Sequence, residues 1–194
     1  MPKYIIVASD DEFMQMDWTH LWYDQMPGET HLSITPNTEH TQLTGIFKVL
    51  ACAATFARSI MLQTPRELRP SFNYTYNYDE QSLEIWIPEH LLDNVEEVRL
   101  RYAQTLQGKR RDFRWATAIN DNTGPCRLPA FEIPLKWTHG KKFCFQTIFY
   151  KSKLMEQQPD YVGHFKISIP QPMRNLWMGF YGQIKFRGEH APSG

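Results

Sequence analysis

The start of the chain constrains the fold more than any other stretch. Residues 4–8 (YIIVA) form a continuous run of β-branched and aromatic residues, which is typical of a strand buried on both faces of a parallel sheet. Turn residues follow at 9–11 (SDD), and residues 17–26 can form a short helix that a Pro-Gly turn ends. Residues 30–35 then alternate like a second strand. A short crossover of this kind predicts two parallel strands joined right-handedly.

Acidic residues and a histidine follow these two strands. Asp10 and Asp11 come directly after the first strand, and His40 lies in the loop after the second. Because the carboxyl ends of parallel strands meet at one edge of a sheet, we expect these side chains to lie close together. An acid on one such loop and a histidine on the next are the last two members of a Ser-acid-His triad, in which the acid orients the imidazole. The alternative interpretation is a solvated turn aspartate and a surface histidine.

Four short segments resemble one known family. They are residues 8–13 (ASDDEF), 26–28 (MPG), 36–40 (PNTEH) and 110–114 (RRDFR). Together they resemble the PhoPQ-activated pathogenicity-related protein family, whose members include a secreted autocrine proliferation repressor. The resemblance implies an α/β-hydrolase-like domain followed by a β-rich domain.

The same resemblance assigns the candidate site. It places Asp11 at the position of the triad acid and His40 at the position of the histidine, with Asp10 as the alternative acid one residue away. The family's candidate serine lies further toward the N-terminus, on an elbow between a strand and a helix. The sequence contains no Gly-x-Ser-x-Gly motif. We therefore expect the chain to correspond to the C-terminal part of a larger family member, with the nucleophile missing from it.

The rest of the sequence predicts a change of architecture. Residues 41–62 carry apolar residues at three- and four-residue steps, which predicts a helix packed on a core. Residues 64–70, with two prolines, are typical of a linker. Short alternating strands follow, as in a β-sandwich. The predicted fold class is α/β plus β: a partial α/β-hydrolase-like domain at 1–63, a linker at 64–70 and a β-sandwich domain at 71–190.

Composition excludes several classes of partner. Lysine plus arginine and aspartate plus glutamate each number 21 in 194 residues, so there is no electrostatic footprint for nucleic acid. Every long apolar run is interrupted by charge, so we predict no membrane span, and no signal peptide precedes the first strand. The histidine and cysteine spacings match no metal pattern, and we predict no metal and no cofactor. The resemblance implies an extracellular location for the full-length family member.

Four further features lie after the predicted linker. Cys126 and Cys144 can form a disulfide across the second domain in an oxidising compartment. Residues 73–75 (NYT) form an N-glycosylation acceptor, which matters only in a secreted chain. Residues 111–114 (RDFR) suggest a charged network between the domains, formed by Arg111, Asp112 and Arg114. The tryptophans are predicted to fill a core, with a sugar-binding or partner-binding face as the alternative: Trp86, Trp115, Trp137 and Trp177.

Two functions are compatible with these patterns. The first is a secreted signalling or binding protein that keeps a hydrolase scaffold and has an unidentified protein partner or receptor. The second is a serine hydrolase acting on an ester or amide, with Asp11 and His40 working on an upstream serine. Because no serine elbow is present, the sequence favours the first. Fold alone cannot choose between them.

Overall fold

The structure is a computed structural model that describes residues 1–119, 131–132, 142–146 and 148–187. Its α-helix, α1, spans Ile46–Met61. Short 3₁₀ helices span Met16–Leu21, Tyr23–Gln25, Leu43–Gly45, Arg66–Leu68 and Glu89–Asn94. The strands are β1 (Lys3–Ala8), β2 (Thr30–Thr35), β3 (Asn73–Asn77), β4 (Ser82–Trp86), β5 (Val95–Gln104), β6 (Ala116–Ile119), β7 (Phe131–Glu132), β8 (Lys142–Phe145), β9 (Lys151–Leu154), β10 (Glu156–Gln157), β11 (His164–Ser168) and β12 (Met178–Phe186).

The strands of the described residues form one parallel pair and three sheets with antiparallel pairs. β1 pairs in parallel with β2, from Lys3 opposite Thr30 to Ala8 opposite Thr35, which confirms the predicted parallel pair. The other sheets have the strand orders β10-β11-β4-β3, β12-β5-β9 and β6-β8-β7. The chain therefore has the mixed α/β plus β content that the sequence predicts.

The crossover between β1 and β2 differs from the prediction. The expected helix over residues 17–26 is replaced by the two 3₁₀ helices Met16–Leu21 and Tyr23–Gln25. Neither contains a buried residue, and Trp18 and Leu21 are exposed. Because short helices depend on packing of an apolar face rather than on propensity, this segment lacks what an α-helix would need.

The burial of β1 and α1 also differs from the prediction. In β1 only Ala8 is buried, because the described sheet gives this strand a single neighbour. In α1 the predicted core stripe includes Leu50 and Met61, which are 57% and 81% exposed, and the buried residue of the helix is Ser59. The apolar stripe of α1 is therefore partly on the surface of the described chain.

The chain divides into two compact units that alternate along the sequence. One comprises Met1–Ile46, Ala103–Tyr150 and Pro172–Gly179, and the other comprises Phe47–Tyr102, Lys151–Gln171 and Phe180–Gly194. In the first unit many of the buried residues are polar, and Ser9, Asp10, Asp11 and Thr38 follow the ends of β1 and β2. In the second unit the core is aliphatic, and its most buried residues include Leu83, Ile85, Leu91, Val98 and Leu100. The predicted domain boundaries at residues 64–70 stay a prediction.

One helical segment is long and apolar enough to cross a membrane. Among the described residues, Leu43–Met61 meets the requirements of length and hydropathy. These requirements concern length and composition only, and core helices and signal sequences also meet them.

Gly45 is tightly enclosed and provides a test of the packing after β2. A Cβ atom at this position would lie 2.5 Å from Thr35 Cγ2 and 2.7 Å from Thr38 Oγ1, and both threonines are buried. We expect Gly45→Ala to lower the free energy of unfolding by about 1–3 kcal/mol, although glycine-to-alanine changes usually favour a helix. Urea denaturation measures the change. An unfolding midpoint equal to or above that of the wild type would show that this region is looser than the structure describes.

Candidate functional site

Asp11 and His40 lie in contact at the carboxyl edge of the β1–β2 pair. His40 Nδ1 is 3.0 Å from Asp11 Oδ1 and 2.9 Å from Asp11 Oδ2. The Asp11 side chain is 8% exposed, whereas the imidazole of His40 is 46% exposed. A carboxylate accepts hydrogen bonds only, so the Nδ1–H donates and the neutral imidazole carries its lone pair on Nε2. Within the described residues, Nε2 has no hydrogen-bond partner.

The turn after β1 fixes the carboxylate. Asp11 Oδ1 also accepts hydrogen bonds from the backbone N–H groups of Phe13 and Met14, at 2.8 and 2.7 Å. The ring of Phe13 packs edge-on against the imidazole of His40, with 4.8 Å between ring centroids. The backbone N–H of His40 donates to Glu12 Oε2 at 2.9 Å. Residues 11–13 therefore hold both the carboxylate and the imidazole in place.

The loop that carries His40 is anchored through Asn37. Its backbone N–H donates to Ser9 Oγ at 2.7 Å. Its side chain accepts from the backbone N–H of Tyr150 at 2.6 Å and donates to the Tyr150 carbonyl at 3.3 Å. The backbone of Asn37 has a φ of 55°, in the left-handed region that asparagine tolerates better than most residues. The hydrogen bonds of Asn37 therefore connect this loop to Ser9 and to Tyr150.

Substitution of Asn37 is expected to loosen this loop. We expect Asn37→Ala to lower the free energy of unfolding by about 2 kcal/mol, because two hydrogen bonds are lost and alanine disfavours a positive φ. Asn37→Gly removes the same hydrogen bonds without the backbone strain, so it should cost less than alanine. Urea denaturation of the two variants separates the contributions. Wild-type stability in both variants would contradict the anchoring role.

Asp10 is buried beside the pair rather than part of it. It is 2% exposed, and its Oδ1 has no hydrogen-bond partner among the described residues. Its backbone N–H donates to the Thr38 carbonyl, and its carbonyl accepts from the Trp115 N–H. Burial raises the pKa of Asp10 to about 7. A hydrogen bond from Ser9 opposes this increase, and the nearby charges of Glu12 and Glu39 add to it. Asp11, not Asp10, is therefore the carboxylate that contacts the histidine.

Glu39 caps the helix that follows the site. Its carboxylate accepts from the backbone N–H of Leu43 at 2.8 Å and from the hydroxyl of Thr41 at 2.6 Å, and Thr44 Oγ1 also donates to it. Partial burial opposes its ionisation, but the hydrogen bonds from Thr41, Thr44 and Leu43 lower the pKa of Glu39 to about 2. Glu39 therefore binds the start of the helix, where a carboxylate is favoured.

The Arg-Asp-Phe-Arg segment forms two separate ion pairs in this unit. Arg114 binds Asp112 at 2.7 Å, and Arg111 binds Asp17 at 2.8 Å. Burial opposes the charge of Asp112, but the guanidinium of Arg114 holds the pKa of that carboxyl below its ordinary value. The next residue, Trp115, donates its N–H to Asp10, as described above. This backbone hydrogen bond connects the segment to Asp10 beside the candidate site. No feature of the sequence indicated this contact.

The predictions for the cysteines and the tryptophans concern residues that are only partly described. Cys126, Trp137 and the side chain of Cys144 lie outside the described residues, and Cys52 is a free, half-buried thiol. Trp86 and Trp177 are 36% and 48% exposed, so neither fills a core. In the described part of the chain, no group of three histidine, cysteine or acidic side chains could hold a metal ion.

Comparison with known proteins gives one match. A model of the PhoPQ-activated pathogenicity-related protein family matches residues 1–114, which include β1, β2, Asp11, His40 and the Arg-Asp-Phe-Arg segment. No curated protein and no solved structure matches the chain. The matched residues make up more than half of the chain and contain each segment on which the resemblance rests, so the chain belongs to the PhoPQ-activated pathogenicity-related protein family.

Proposed function

We propose that Asp11 and His40 are the acid and the base of a serine-hydrolase site acting on an ester or amide. The observation that carries this proposal is the orientation of the imidazole. Its Nδ1–H faces a buried carboxylate, and its Nε2 is left without a partner among the described residues. A triad histidine needs this tautomer and this orientation.

The two side chains would act in sequence. Asp11 holds the imidazole in the tautomer with its lone pair on Nε2 and stabilises the imidazolium that forms. His40 Nε2 takes the proton of a serine hydroxyl as that oxygen attacks the acyl carbon, and later returns the proton to the leaving group. The side chain of His40 is nearly half exposed, so such a hydroxyl has access to the imidazole.

The serine would come from residues outside the described part of the chain. In the described part of the chain no serine, threonine or cysteine side chain binds His40 Nε2. We also propose that residues 1–63 form the last two strands and the closing helix of an α/β-hydrolase-like domain, and that residues 71–190 form a β-sandwich. The parallel β1–β2 pair, with both candidate residues after its carboxyl end, supports the first part.

Hydrolysis of activated esters by the natural protein tests the proposal. We expect turnover of p-nitrophenyl esters of different acyl length, with kcat/KM lowered on the order of 10³-fold or more in His40→Ala. The matched control is His90→Ala, whose imidazole binds the Glu67 carbonyl in the other unit, and it should keep wild-type turnover. Equal turnover in His40→Ala and wild type would refute the assignment.

A second candidate is a secreted signalling or binding protein that keeps the scaffold without catalysis. It is favoured by the large apolar side chains that α1 exposes, Phe47, Leu50 and Met61, which suit contact with a protein partner or receptor. An extracellular location belongs to this proposal as well. If the natural protein shows no esterase activity, and Phe47→Ser abolishes the binding of a partner that Thr55→Ser preserves, this second function replaces the first.

A further inference from the structure

Three side chains form one row across the sheet of the second unit. His164 of β11 lies directly opposite Trp86 of β4, and Trp86 lies directly opposite Asn73 of β3. Directly opposed residues of antiparallel strands point to the same face, with neighbouring strands about 4.8 Å apart. Asn73, Trp86 and His164 are therefore neighbours on one face, with the tryptophan in the middle.

The tryptophan offers one ring face toward Asn73. The rings of Trp86 and His164 are stacked, with centroids 4.8 Å apart and planes 4° from parallel. The imidazole is held in place by Glu84, whose carboxylate binds His164 Nε2 at 3.1 Å. Because the stack runs along the row, the ring face that His164 does not cover is turned toward β3. Trp86 is still 36% exposed.

Asn73 is the first residue of the N-glycosylation acceptor sequence Asn-Tyr-Thr. The sequence of the chain contains one such acceptor. Asn73 and Thr75 are both exposed, and β3 is the edge strand of the described sheet. Asn73 and Thr75 share the face of Trp86, whereas Tyr74 points to the opposite face. The acceptor amide is therefore free to carry a large polar group, directly beside an aromatic ring.

We propose that Asn73 is the attachment site of an N-linked glycan whose first sugar packs against the open ring face of Trp86. A transferase supplies the glycan from a lipid-linked oligosaccharide diphosphate. The bond between Asn73 Nδ2 and the sugar C1 forms, the bond between C1 and the diphosphate oxygen breaks, one amide proton leaves to a base, and the lipid diphosphate departs. The modification requires passage of the chain through a compartment that holds such a transferase.

Secretion of the full chain from eukaryotic cells, directed by an appended leader, tests the attachment. We expect one glycan per chain, removable by peptide N-glycosidase, and none in Asn73→Gln or Thr75→Ala. Thr55→Ala, which removes a threonine outside the acceptor sequence, is the matched control and should remain glycosylated. Recovery of folded, unmodified wild-type chain from the medium would overturn the proposal.

The packing on Trp86 is tested on the same material after trimming to the first sugar. In the wild type, NMR signals of the sugar should move upfield through the ring current of the indole, and the melting temperature should exceed that of Asn73→Gln by about 2–4 °C. In Trp86→Val the glycan should remain but both effects should vanish. The absence of upfield shifts in the wild type would by itself refute the packing, whatever the stability of the variant.

Discussion

The free energy of unfolding is expected to fall by about 4 kcal/mol between about pH 4 and pH 8, and Asp10 is the cause. Burial raises the pKa of its carboxyl from 3.8 in the unfolded chain to about 7 in the folded one. Between these values the folded state holds a proton that the unfolded state has lost, so stability decreases as the pH rises. Above the folded pKa the carboxylate is ionised in both states, and the contribution is gone.

The variant Asp10→Asn removes this dependence. Its amide stays neutral at every pH, so its unfolding free energy should be nearly flat across the same range and should exceed that of the wild type at pH 8. Urea denaturation at several pH values measures both curves. A wild-type curve that is flat between pH 5 and pH 8 would mean that Asp10 is far less buried than described.

Glu39 provides the matched control. The pKa of Glu39 is lowered from 4.5 to about 2 by its hydrogen bonds, so its contribution to stability is present above about pH 4.5 and is lost as the pH falls toward 2. Glu39→Gln should therefore flatten the acid side of the curve, and the decrease between pH 5 and pH 8 should remain but become slightly smaller, because the charge of Glu39 no longer adds to the pKa of Asp10. If Glu39→Gln abolished the decrease in the free energy of unfolding between pH 5 and pH 8, that decrease would belong to Glu39 and not to Asp10.

Three variants of the candidate pair should separate structure from catalysis. Asp11→Ala should lower the free energy of unfolding by roughly 3 kcal/mol, because the N–H groups of Phe13 and Met14 and the Nδ1–H of His40 all lose their acceptor. Asp11→Asn keeps an oxygen for the two backbone donors, so it should cost much less stability. Its catalytic loss should nevertheless be on the order of 10⁴-fold in kcat, because an amide does not fix the required tautomer.

His40→Ala completes this series. It removes one partner of Asp11 and leaves the turn at Phe13 and Met14 intact, so the stability loss should be about 1 kcal/mol. Its activity loss should be at least as large as that of Asp11→Asn, because the general base itself is lost. If activity followed stability across the three variants, the pair would have only a structural role.

The edge of the parallel strands could be predicted because its determinants are local in sequence. The apolar run at residues 4–8, the acidic turn after it and the alternation at residues 30–35 specify both strands, and parallel strands place their following loops together. The contact between Asp11 and His40 follows from that order. The choice of Asp11 over Asp10 came from the resemblance alone, because both aspartates occupy the same turn.

The hydrogen bonds that hold the loops of the candidate site could not be predicted, because they join residues that are distant in sequence. Asn37 binds Tyr150, and Asp10 binds Trp115, across separations of more than a hundred residues. Hydrophobic periodicity also predicted burial wrongly in α1, because tertiary packing decides which face of a helix is covered. The apolar stripe of α1 predicted a buried face, yet Leu50 and Met61 are exposed, since a pattern shows which residues could be buried and not what covers them.

Covalent labelling of the natural protein by a fluorophosphonate tests the central claim most directly. The reagent phosphonylates a serine whose hydroxyl is activated by a neighbouring base. We predict a single labelled serine, with labelling slowed at least a hundredfold in His40→Ala and Asp11→Asn and unchanged in His90→Ala. A natural protein that resists labelling, or that is labelled equally fast without the imidazole of His40, would contradict the assignment of this pair to catalysis.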